Sequence, residues 1–193
     1  MMRMYNHVKF MGGSPQFRIK ESTEENAPVY CLYSQGDLTE DLTGIRPDTA
    51  ENKKIRTADE VLTLFEGDVI FNLISGTACI VGKNHEGYLY TQNYIKLFKD
   101  GSIDPAFLVY LLNEDQDVGR QLHVGLQGSS VMKYTVKQLK GLEISSLPSL
   151  EKQKVIGDIY LKQLKLEALK NRVAEAEKKI LLYKLEEARN ERT

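Results

Sequence analysis

The sequence predicts an α/β (α+β) globular domain with a mixed sheet, followed by one long C-terminal coiled-coil helix. Short apolar runs separated by Gly, Asn and Ser extend to about residue 148 and indicate the globular domain. From residue 149 onward the chain has no proline and a single glycine, Gly157, which indicates a continuous helix. The 193 residues, 41% of them hydrophobic, suffice for one core with a modest appendage. We therefore predict a domain over residues 1–148 and a helix over residues 149–193.

Four short runs in the middle of the domain have the composition of β-strands. They cover residues 69–74, 78–81, 88–90 and 94–98. β-Branched and aromatic side chains dominate these runs, and Gly, Asn or Ser residues separate them, which is typical of strands joined by turns. We expect them to form the sheet.

Two short helices follow the strands. Asp104 suits an N-cap and Pro105 suits the first helical position, which predicts a helix that begins at this point. Thr135 and Gln138 have the spacing of a capping box, which predicts a second helix over residues 135–140.

The C-terminal helix would contain roughly 40 residues and extend about 60 Å. Apolar side chains recur along it at alternating steps of three and four residues, the a/d pattern of a coiled coil, interrupted only by Lys162. A helix of this length exceeds the diameter of a domain of about 150 residues, so we expect a partner helix. The predicted dimer interface consists of Ile159, Leu166, Leu169, Val173, Ala176, Ile180 and Tyr183.

Charges beside this a/d seam favour an antiparallel pair. In a parallel homodimer two of the three flanking pairs would repel each other, for example Lys165 with Lys170. An antiparallel arrangement instead places the basic first half of the seam opposite the half that contains Glu177 and Glu186. The partner helix could come from a second copy or from another protein, and we favour an antiparallel homodimer.

Composition excludes several classes of protein. No apolar stretch approaches the length of about 18 residues that a membrane span needs, so we expect a cytoplasmic protein without a membrane partner. The two cysteines cannot form a disulfide framework, and the three histidines do not group with them at metal-ligand spacing. We therefore expect neither a cofactor nor a metal. The formal charge of −1 argues against an overall field that attracts nucleic acid, although a local basic face is compatible with it.

Catalytic motifs are incomplete in this sequence. The run from Gly76 to Asn84 looks like a phosphate loop, but its glycines are one residue too far apart and Asn84 replaces the Ser or Thr that binds magnesium. The acids around Asp48 and Glu51 leave a metal-dependent nuclease as an alternative. We expect that the chain is not an enzyme by itself.

Three blocks in order along the chain resemble one family. The first is Gly12-Gly13-Ser14-Pro15, and the second is Phe65-Glu66-Gly67-Asp68-Val69-Ile70-Phe71 with the strands and helix that follow it. The third runs from Gln127-Gly128-Ser129-Ser130 through the helix and Leu142-Glu143-Ile144 to Leu147-Pro148-Ser149-Leu150-Glu151-Lys152-Gln153-Lys154-Val155-Ile156. Together they resemble the specificity subunit of type I restriction-modification systems.

The resemblance implies a target recognition domain that reads a DNA half-site, and a spacer helix on which methyltransferase subunits dock. Full-length members of the family contain two such domains and two antiparallel helices, whereas this sequence contains one of each. It is therefore either a half-length subunit that dimerises or a fragment of a longer protein. The implied partners are double-stranded DNA and methyltransferase subunits, with restriction subunits left open. A homodimer would read two inverted copies of one half-site.

An acid-free stretch from Val118 to Leu142 is the main candidate for phosphate contacts, since glycines within it would let the backbone approach phosphates closely. The alternative is an ordinary surface loop before a capped helix. The candidates are Arg120, His123, Gln127, Ser129, Ser130, Lys133, Tyr134 and Lys137.

Polar residues at strand ends and turns are the candidates for base readout, because their side chains present hydrogen-bond donors and acceptors. Gln92 and Asn93 could each contact adenine with two hydrogen bonds, or all of these residues could be structural turn residues. The set is Asn72, Ser75, Thr77, Tyr90, Thr91, Gln92 and Asn93. A coiled-coil adaptor protein with a globular head that does not bind DNA is the competing interpretation of the whole chain.

Overall fold

The computed structural model of the chain describes residues 2–47, 52–124 and 133–190. Within these ranges the strands are β1 (Met2–Arg3), β2 (Val8–Gly12), β3 (Val29–Cys31), β4 (Lys54–Arg56), β5 (Val69–Asn72), β6 (Ala78–Ile80), β7 (Tyr94–Lys99) and β8 (Glu143–Ile144). The α-helices are α1 (Gln35–Thr43), α2 (Pro105–Glu114), α3 (Gln116–Val124), α4 (Val136–Gly141) and α5 (Leu150–Asn190). The α+β class and the long C-terminal helix are confirmed.

A four-stranded sheet in the order β2–β7–β5–β6 forms the centre of the domain. Its register places Val69 of β5 opposite Leu97 of β7 on one side and opposite Ile80 of β6 on the other. All four residues of β5 are buried, as expected for a central strand that is covered on both faces. Two small two-stranded sheets, β1–β8 and β3–β4, lie outside this central sheet.

The pairing of the strands corrects the predicted mixed sheet in one respect. Every pair of named strands among the described residues is antiparallel. Parallel pairing occurs there only as isolated bridges, Ser14 with Thr91 and Leu32 with Leu89. A short turn joins β5 to β6, and neighbouring strands joined in this way can only be antiparallel.

The predicted strand at residues 88–90 is wrong, although its apolar side chains are buried. Its backbone groups bond to several separate segments: the Leu89 N–H donates to the Cys31 carbonyl at 2.9 Å, and the Ser14 N–H donates to the Tyr90 carbonyl at 3.0 Å. Because no single neighbour runs alongside it, the segment satisfies its backbone without forming a ladder.

The helix predicted after Asp104 is confirmed as α2. The Asp104 carboxylate accepts hydrogen bonds from the N–H groups of Ala106 and Phe107 at 2.9 and 3.1 Å, and Pro105 occupies the first turn. This helix covers the sheet, and most of its side chains, among them Leu108 and Leu112, are buried in the main core. Burial of this apolar surface is the principal stabilisation of the domain.

The second predicted helix is confirmed as α4, while α1 and α3 were not predicted. Thr135 and Gln138 form the expected reciprocal capping box at the start of α4. Ser34 and Asp37 form an equivalent box at the start of α1, where aspartate replaces the usual glutamate or glutamine. In α3 the buried side chains of Val118 and Leu122 are four residues apart and so share one face of the helix.

The long helix α5 is fixed to the domain through its first turns. Gly157 lies against α2 so closely that an added Cβ would be 2.5 Å from the Phe107 backbone nitrogen. The buried amide of Gln153 donates to the carbonyls of Ser102 and Pro148 at 3.1 and 2.9 Å, and it accepts from the Asp104 N–H at 2.9 Å. A glycine at the crossing and a fully bonded amide therefore set the position of this helix.

After this junction α5 passes α1, near Gly44 and Lys165, and its second half is then exposed to solvent. Residues 171–190 are all exposed, and the a/d side chains Val173, Ile180 and Tyr183 are each more than half exposed. Four further members of the predicted seam, Ile159, Leu166, Leu169 and Ala176, are also exposed. The described part of the chain thus leaves a continuous apolar stripe uncovered. A partner helix could pack against this stripe. No helix among the described residues is long and apolar enough to cross a membrane.

Candidate nucleic-acid interface

Three turns from distant parts of the sequence meet at one edge of the central sheet. They are the β5–β6 turn at residues 73–77, the turn at residues 91–93, and residues 133–134, and we call them the three-turn edge. The Leu73 N–H donates to the Asn93 carbonyl at 2.8 Å, and the Tyr134 N–H donates to the Leu73 carbonyl at 2.8 Å. The Lys133 ammonium also donates to the Asn93 side-chain oxygen at 2.8 Å. Backbone bonds therefore hold all three turns in a defined arrangement.

The ring of Tyr134 reinforces this arrangement from one side. It packs edge-to-face with Phe71 at a centroid distance of 5.8 Å. It also lies over Gly76, whose φ of 70° places it in the left-handed region that favours glycine. An added Cβ at residue 76 would be 2.9 Å from the Tyr134 Cζ atom. Glycine is thus needed here both for the turn and for the space that the ring occupies.

The N-terminal block at residues 12–15 supports the turn at residues 91–93 from the other side. The Gln92 N–H donates to the Ser14 carbonyl at 3.1 Å, and the Gly13 N–H donates to the Tyr94 carbonyl at 3.1 Å. A Cβ on Gly13 would overlap the Tyr90 and Thr91 backbone, so only glycine permits this approach.

An exposed aromatic and cationic pair follows this block and was not predicted as part of a site. The ring of Phe17 is 77% exposed, and the Arg18 guanidinium lies 5.6 Å from its centroid. An exposed aromatic ring and an exposed guanidinium are both suited to nucleic-acid contacts. The only signal for this pair in the sequence is its position directly after the Gly-Ser-Pro turn.

The structure separates the seven candidates for base readout into surface and interior residues. Ser75 and Gln92 are exposed at the tips of their turns, and Thr77 and Asn93 are partly exposed beside them. Thr91 and Tyr90 are both buried, Tyr90 completely. Burial raises the pKa of Tyr90 to about 12, with the charge of Asp68 adding to the effect.

Asn72 lies inside the edge and organises the turn that follows it. Its side-chain oxygen accepts from the N–H groups of Ile74 and Ser75 at 2.7 and 3.3 Å, and its amide donates to Gln35 at 2.7 Å. With both ends of the amide engaged and the residue 4% exposed, Asn72 supports the turn rather than presenting a group to solvent.

The candidates for phosphate contacts are distributed over several elements. Lys133 lies in the three-turn edge, Lys137 is exposed on α4, and His123 is exposed on α3. Arg120 lies on α3 and forms an ion pair with Asp117, one turn earlier in the helix. Asp117, the residue before the acid-free stretch, thus pairs with one of the basic residues inside it. The candidates Gln127, Ser129 and Ser130 lie outside the described residues.

A second polar site, which the sequence analysis did not identify, is built from α1 and the turn at residues 83–85. His85 is fully buried, and its Nδ1 donates to the Asp41 carboxylate at 2.7 Å. Its Nε2 lies 3.2 Å from the Asp37 Oδ1 atom and 3.6 Å from the Glu40 Oε2 atom. Arg46 approaches from the surface, with Nη1 3.1 Å from Glu40 and 3.5 Å from Asp37. We call Asp37, Glu40, Asp41 and His85 the buried histidine cluster.

Charges in this cluster shift the pKa values of its members. Burial by itself would lower the pKa of His85, but the carboxylates of Asp37 and Asp41 outweigh it and raise that pKa to about 9. Burial would likewise raise the pKa of Asp37, yet the neighbouring His85 and hydrogen bonds from Ser34 lower it to about 2. The acids at positions 37, 40 and 41 share one face of α1, a spacing visible in the sequence only once α1 is known to be a helix.

Comparison with known proteins identifies the family. The model of the type I restriction modification DNA specificity domain matches residues 16–178. The chain belongs to this family. The matched span of the specificity domain contains the whole three-turn edge and the α5 seam as far as Ala176. No curated protein matches the chain.

Solved structures agree with this fold. The HsdS subunit from Thermoanaerobacter tengcongensis is 23% identical to the chain with a TM-score of 0.58, and the match covers 97% of the chain and 42% of that subunit. A structure described as the basis of complex assembly and conformational transition of the type I R-M system is 20% identical with a TM-score of 0.60. That match covers 97% of the chain and 43% of the matched protein. The chain thus spans less than half the length of either structure.

Proposed function

We propose that this chain is a non-catalytic, sequence-specific DNA-recognition subunit of a type I restriction-modification system. In this proposal the three-turn edge reads one half-site, and α5 is the spacer that separates this reading head from a second one. The observation that carries the proposal is the convergence of exposed polar turns and a lysine at one edge of a rigid sheet, in a chain of the specificity domain family. Side chains that read bases must be held firmly, because hydrogen bonds to base edges depend on direction.

Base contacts are assigned to the exposed part of the edge. Ser75 and Gln92 occupy turn tips, and Thr77 and Asn93 lie beside them. Gln92 offers a donor and an acceptor together, the combination that recognises adenine in the major groove. Tyr90, Thr91 and Asn72, which the sequence placed in the same group, support these tips from the interior.

Phosphate contacts are assigned to the basic residues around the edge. The Lys133 ammonium donates one hydrogen bond to Asn93, which leaves two N–H donors for a phosphate. Arg120, Lys137 and the undescribed residues Gln127, Ser129 and Ser130 extend this contact in the proposal. Contacts of this kind set the register of the protein on DNA without reading sequence.

The second half of the reader comes from a second copy in our proposal. The exposed seam of α5 supports it, since isolated apolar stripes of this length are unfavourable in water. Antiparallel pairing would place one head at each end of the paired helices and would present a docking surface for methyltransferase subunits. The alternative is a longer polypeptide that contains both halves. We expect such a complex to act on DNA in the cytoplasm, and the proposal leaves restriction subunits open as further partners.

The test is to express the chain with its methyltransferase subunit in cells and to sequence the modified DNA. We expect methylation at a bipartite motif made of two inverted copies of one half-site. Gln92→Ala should relax the preference at one base pair in each half-site by about 1–3 kcal/mol. An asymmetric bipartite motif would contradict the homodimer, and the absence of a DNA motif would favour the adaptor interpretation.

A further inference from the structure

We propose that the buried histidine cluster is a binding site for one zinc ion, with His85, Asp37 and Glu40 as its ligands. This site is separate from the three-turn edge and takes no part in base reading. Its residues come from α1 and from the turn at residues 83–85, so an ion would connect two parts of the domain that are distant in sequence.

Hydrogen bonds already orient the histidine as a zinc ligand requires. Asp41 accepts from Nδ1, while its other interactions come from the Tyr33 hydroxyl at 2.6 Å and the Gly82 N–H at 3.0 Å. With the Nδ1 proton directed at Asp41, the Nε2 atom points toward Asp37 and Glu40, and zinc would displace the proton on Nε2. A carboxylate behind the histidine is the usual outer partner of zinc-bound imidazole, since it fixes the tautomer.

Two buried polar atoms face each other in this cluster without a hydrogen bond between them. The Nε2 atom of His85 and the Oδ1 atom of Asp37 are inaccessible to solvent and lack a hydrogen-bond partner within the described ranges. The Oδ2 atom of Asp37 is engaged by the N–H and hydroxyl of Ser34 at 2.8 and 2.7 Å, which leaves Oδ1 directed at the histidine. In the protonated histidine a proton lies between these two atoms, and a bound zinc ion would take the place of that proton.

The separations of the ligand atoms fit a tetrahedral zinc site. Ligands about 2.0–2.2 Å from a tetrahedral zinc ion lie about 3.4 Å from one another. His85 Nε2 is 3.2 Å from Asp37 Oδ1 and 3.6 Å from Glu40 Oε2, and one ligand atom from each of the three residues lies within 4.8 Å of the others. The fourth position would face the surface, where a water molecule can enter.

Arg46 occupies that outer side and competes with the ion. Its guanidinium contacts both Asp37 and Glu40, yet its side chain is 42% exposed and can turn outward to solvent. A zinc ion would replace two positive charges, those of Arg46 and of the His85 proton, opposite the three carboxylates. The bound ion would also stabilise α1, whose C-cap residue Gly44 lies close to the Lys165 side chain of α5, since an added Cβ at Gly44 would be 3.4 Å from the Lys165 Cε atom.

Titration of the full chain with zinc, after removal of metal by a chelator, tests the proposal. We expect one zinc ion per chain by calorimetry and elemental analysis, with little binding of magnesium. At a free zinc concentration a hundredfold above Kd, the melting temperature should rise by about 5–10 °C. Absence of zinc binding, or a melting temperature that zinc does not change, would overturn the site.

Three variants separate this site from adventitious binding. His85→Gln should lose the zinc ion, whereas the matched control His123→Gln, at an exposed histidine on α3, should keep it. Arg46→Gln should raise zinc affinity at least threefold, because it removes the competing cation without removing a ligand. Equal zinc binding in the two histidine variants, or unchanged zinc affinity in Arg46→Gln, would overturn the zinc site. The cluster would then be a set of ion pairs that does not bind zinc.

Cobalt substitution in the unaltered chain keeps the test independent of whether a variant folds. Co²⁺ in a tetrahedral site absorbs visible light much more strongly than octahedral Co²⁺. The strong tetrahedral spectrum, abolished by one equivalent of zinc, supports the proposal. A weak octahedral spectrum would overturn the proposed geometry. None of these measurements involves DNA, so their outcome is independent of the proposed recognition function.

Discussion

The ring of Tyr134 lies over Gly76 and so joins the segment that follows residue 132 to the turn between β5 and β6. The Tyr134 N–H donates to the Leu73 carbonyl in the same turn at 2.8 Å. A short contact between a glycine and an aromatic ring thus sets the shape of the three-turn edge. The consequences for stability and for DNA binding can be measured separately.

Gly76→Ala should destabilise the chain by about 2–4 kcal/mol, since it combines a left-handed backbone with overlap between Cβ and the Tyr134 ring. Denaturation in urea measures this difference. Gly87→Ala is the matched control, because Gly87 has a φ of 81° and nothing within 4 Å of the added Cβ. It should lose only about 1–2 kcal/mol. Equal losses in the two variants would contradict the contact with Tyr134.

Gly157→Ala should weaken the attachment of α5 to α2. Alanine is the better helix former by about 1 kcal/mol, but its Cβ would overlap the backbone of Ala106 and Phe107, so we expect a net loss of about 2 kcal/mol. Gly119→Ala in α3 has open space around the added Cβ and should gain up to about 1 kcal/mol. Urea denaturation of both variants checks the opposite signs.

Val173→Asp should abolish self-association while leaving the domain folded, because residue 173 lies in the exposed a/d seam and contacts nothing in the core. Sedimentation velocity should show a dimer for the parent chain and a monomer for this variant. Ala174→Asp adds the same charge to the neighbouring position outside the seam and should remain dimeric. A parent chain that is monomeric at all concentrations would contradict the pairing of α5.

Lys137→Met, at an exposed lysine of α4, should lower DNA affinity by a similar factor for all sequences and reduce the slope of log K against log salt by about 1. The reason is the loss of one phosphate contact without loss of a base contact. Binding is measured over a range of salt concentrations, both to duplexes that contain the recognition motif and to duplexes that lack it. This comparison separates the loss of a phosphate contact from the loss of a base contact. Lys54→Met, at an exposed lysine of β4, should leave both quantities unchanged.

Local patterns predicted much of the fold, including the strands near residues 69–74, 78–81 and 94–98 and the helices after Asp104, Thr135 and Ser149. Caps, turn glycines and the spacing of apolar residues act over a few positions and are therefore legible in one sequence. The prediction of a strand at residues 88–90 was wrong. The apolar residues there indicated burial, but they could not show whether one neighbouring segment or several would pair with the backbone. α1 and α3 were missed because their apolar faces are short.

The candidate site was predicted only in outline. The sequence indicated polar turns and a basic stretch, but it did not distinguish Gln92, which is exposed, from Asn72, whose amide is fully engaged inside the edge. It also gave no sign that His85 would meet the acids of α1. These outcomes depend on contacts between residues about 40 or more positions apart, for which the sequence carries no local signal.

The sequence by itself determined the α+β class, the capped helices, the heptad seam of the long helix and the resemblance to the specificity family, since each depends on the order and spacing of nearby residues. Only the tertiary structure decided which turns lie side by side, which polar residues reach solvent, and which acids surround a buried histidine. The physical reason is that burial and charge pairing depend on the packing of distant segments, and close packing leaves one arrangement that fills the core and satisfies the buried polar groups.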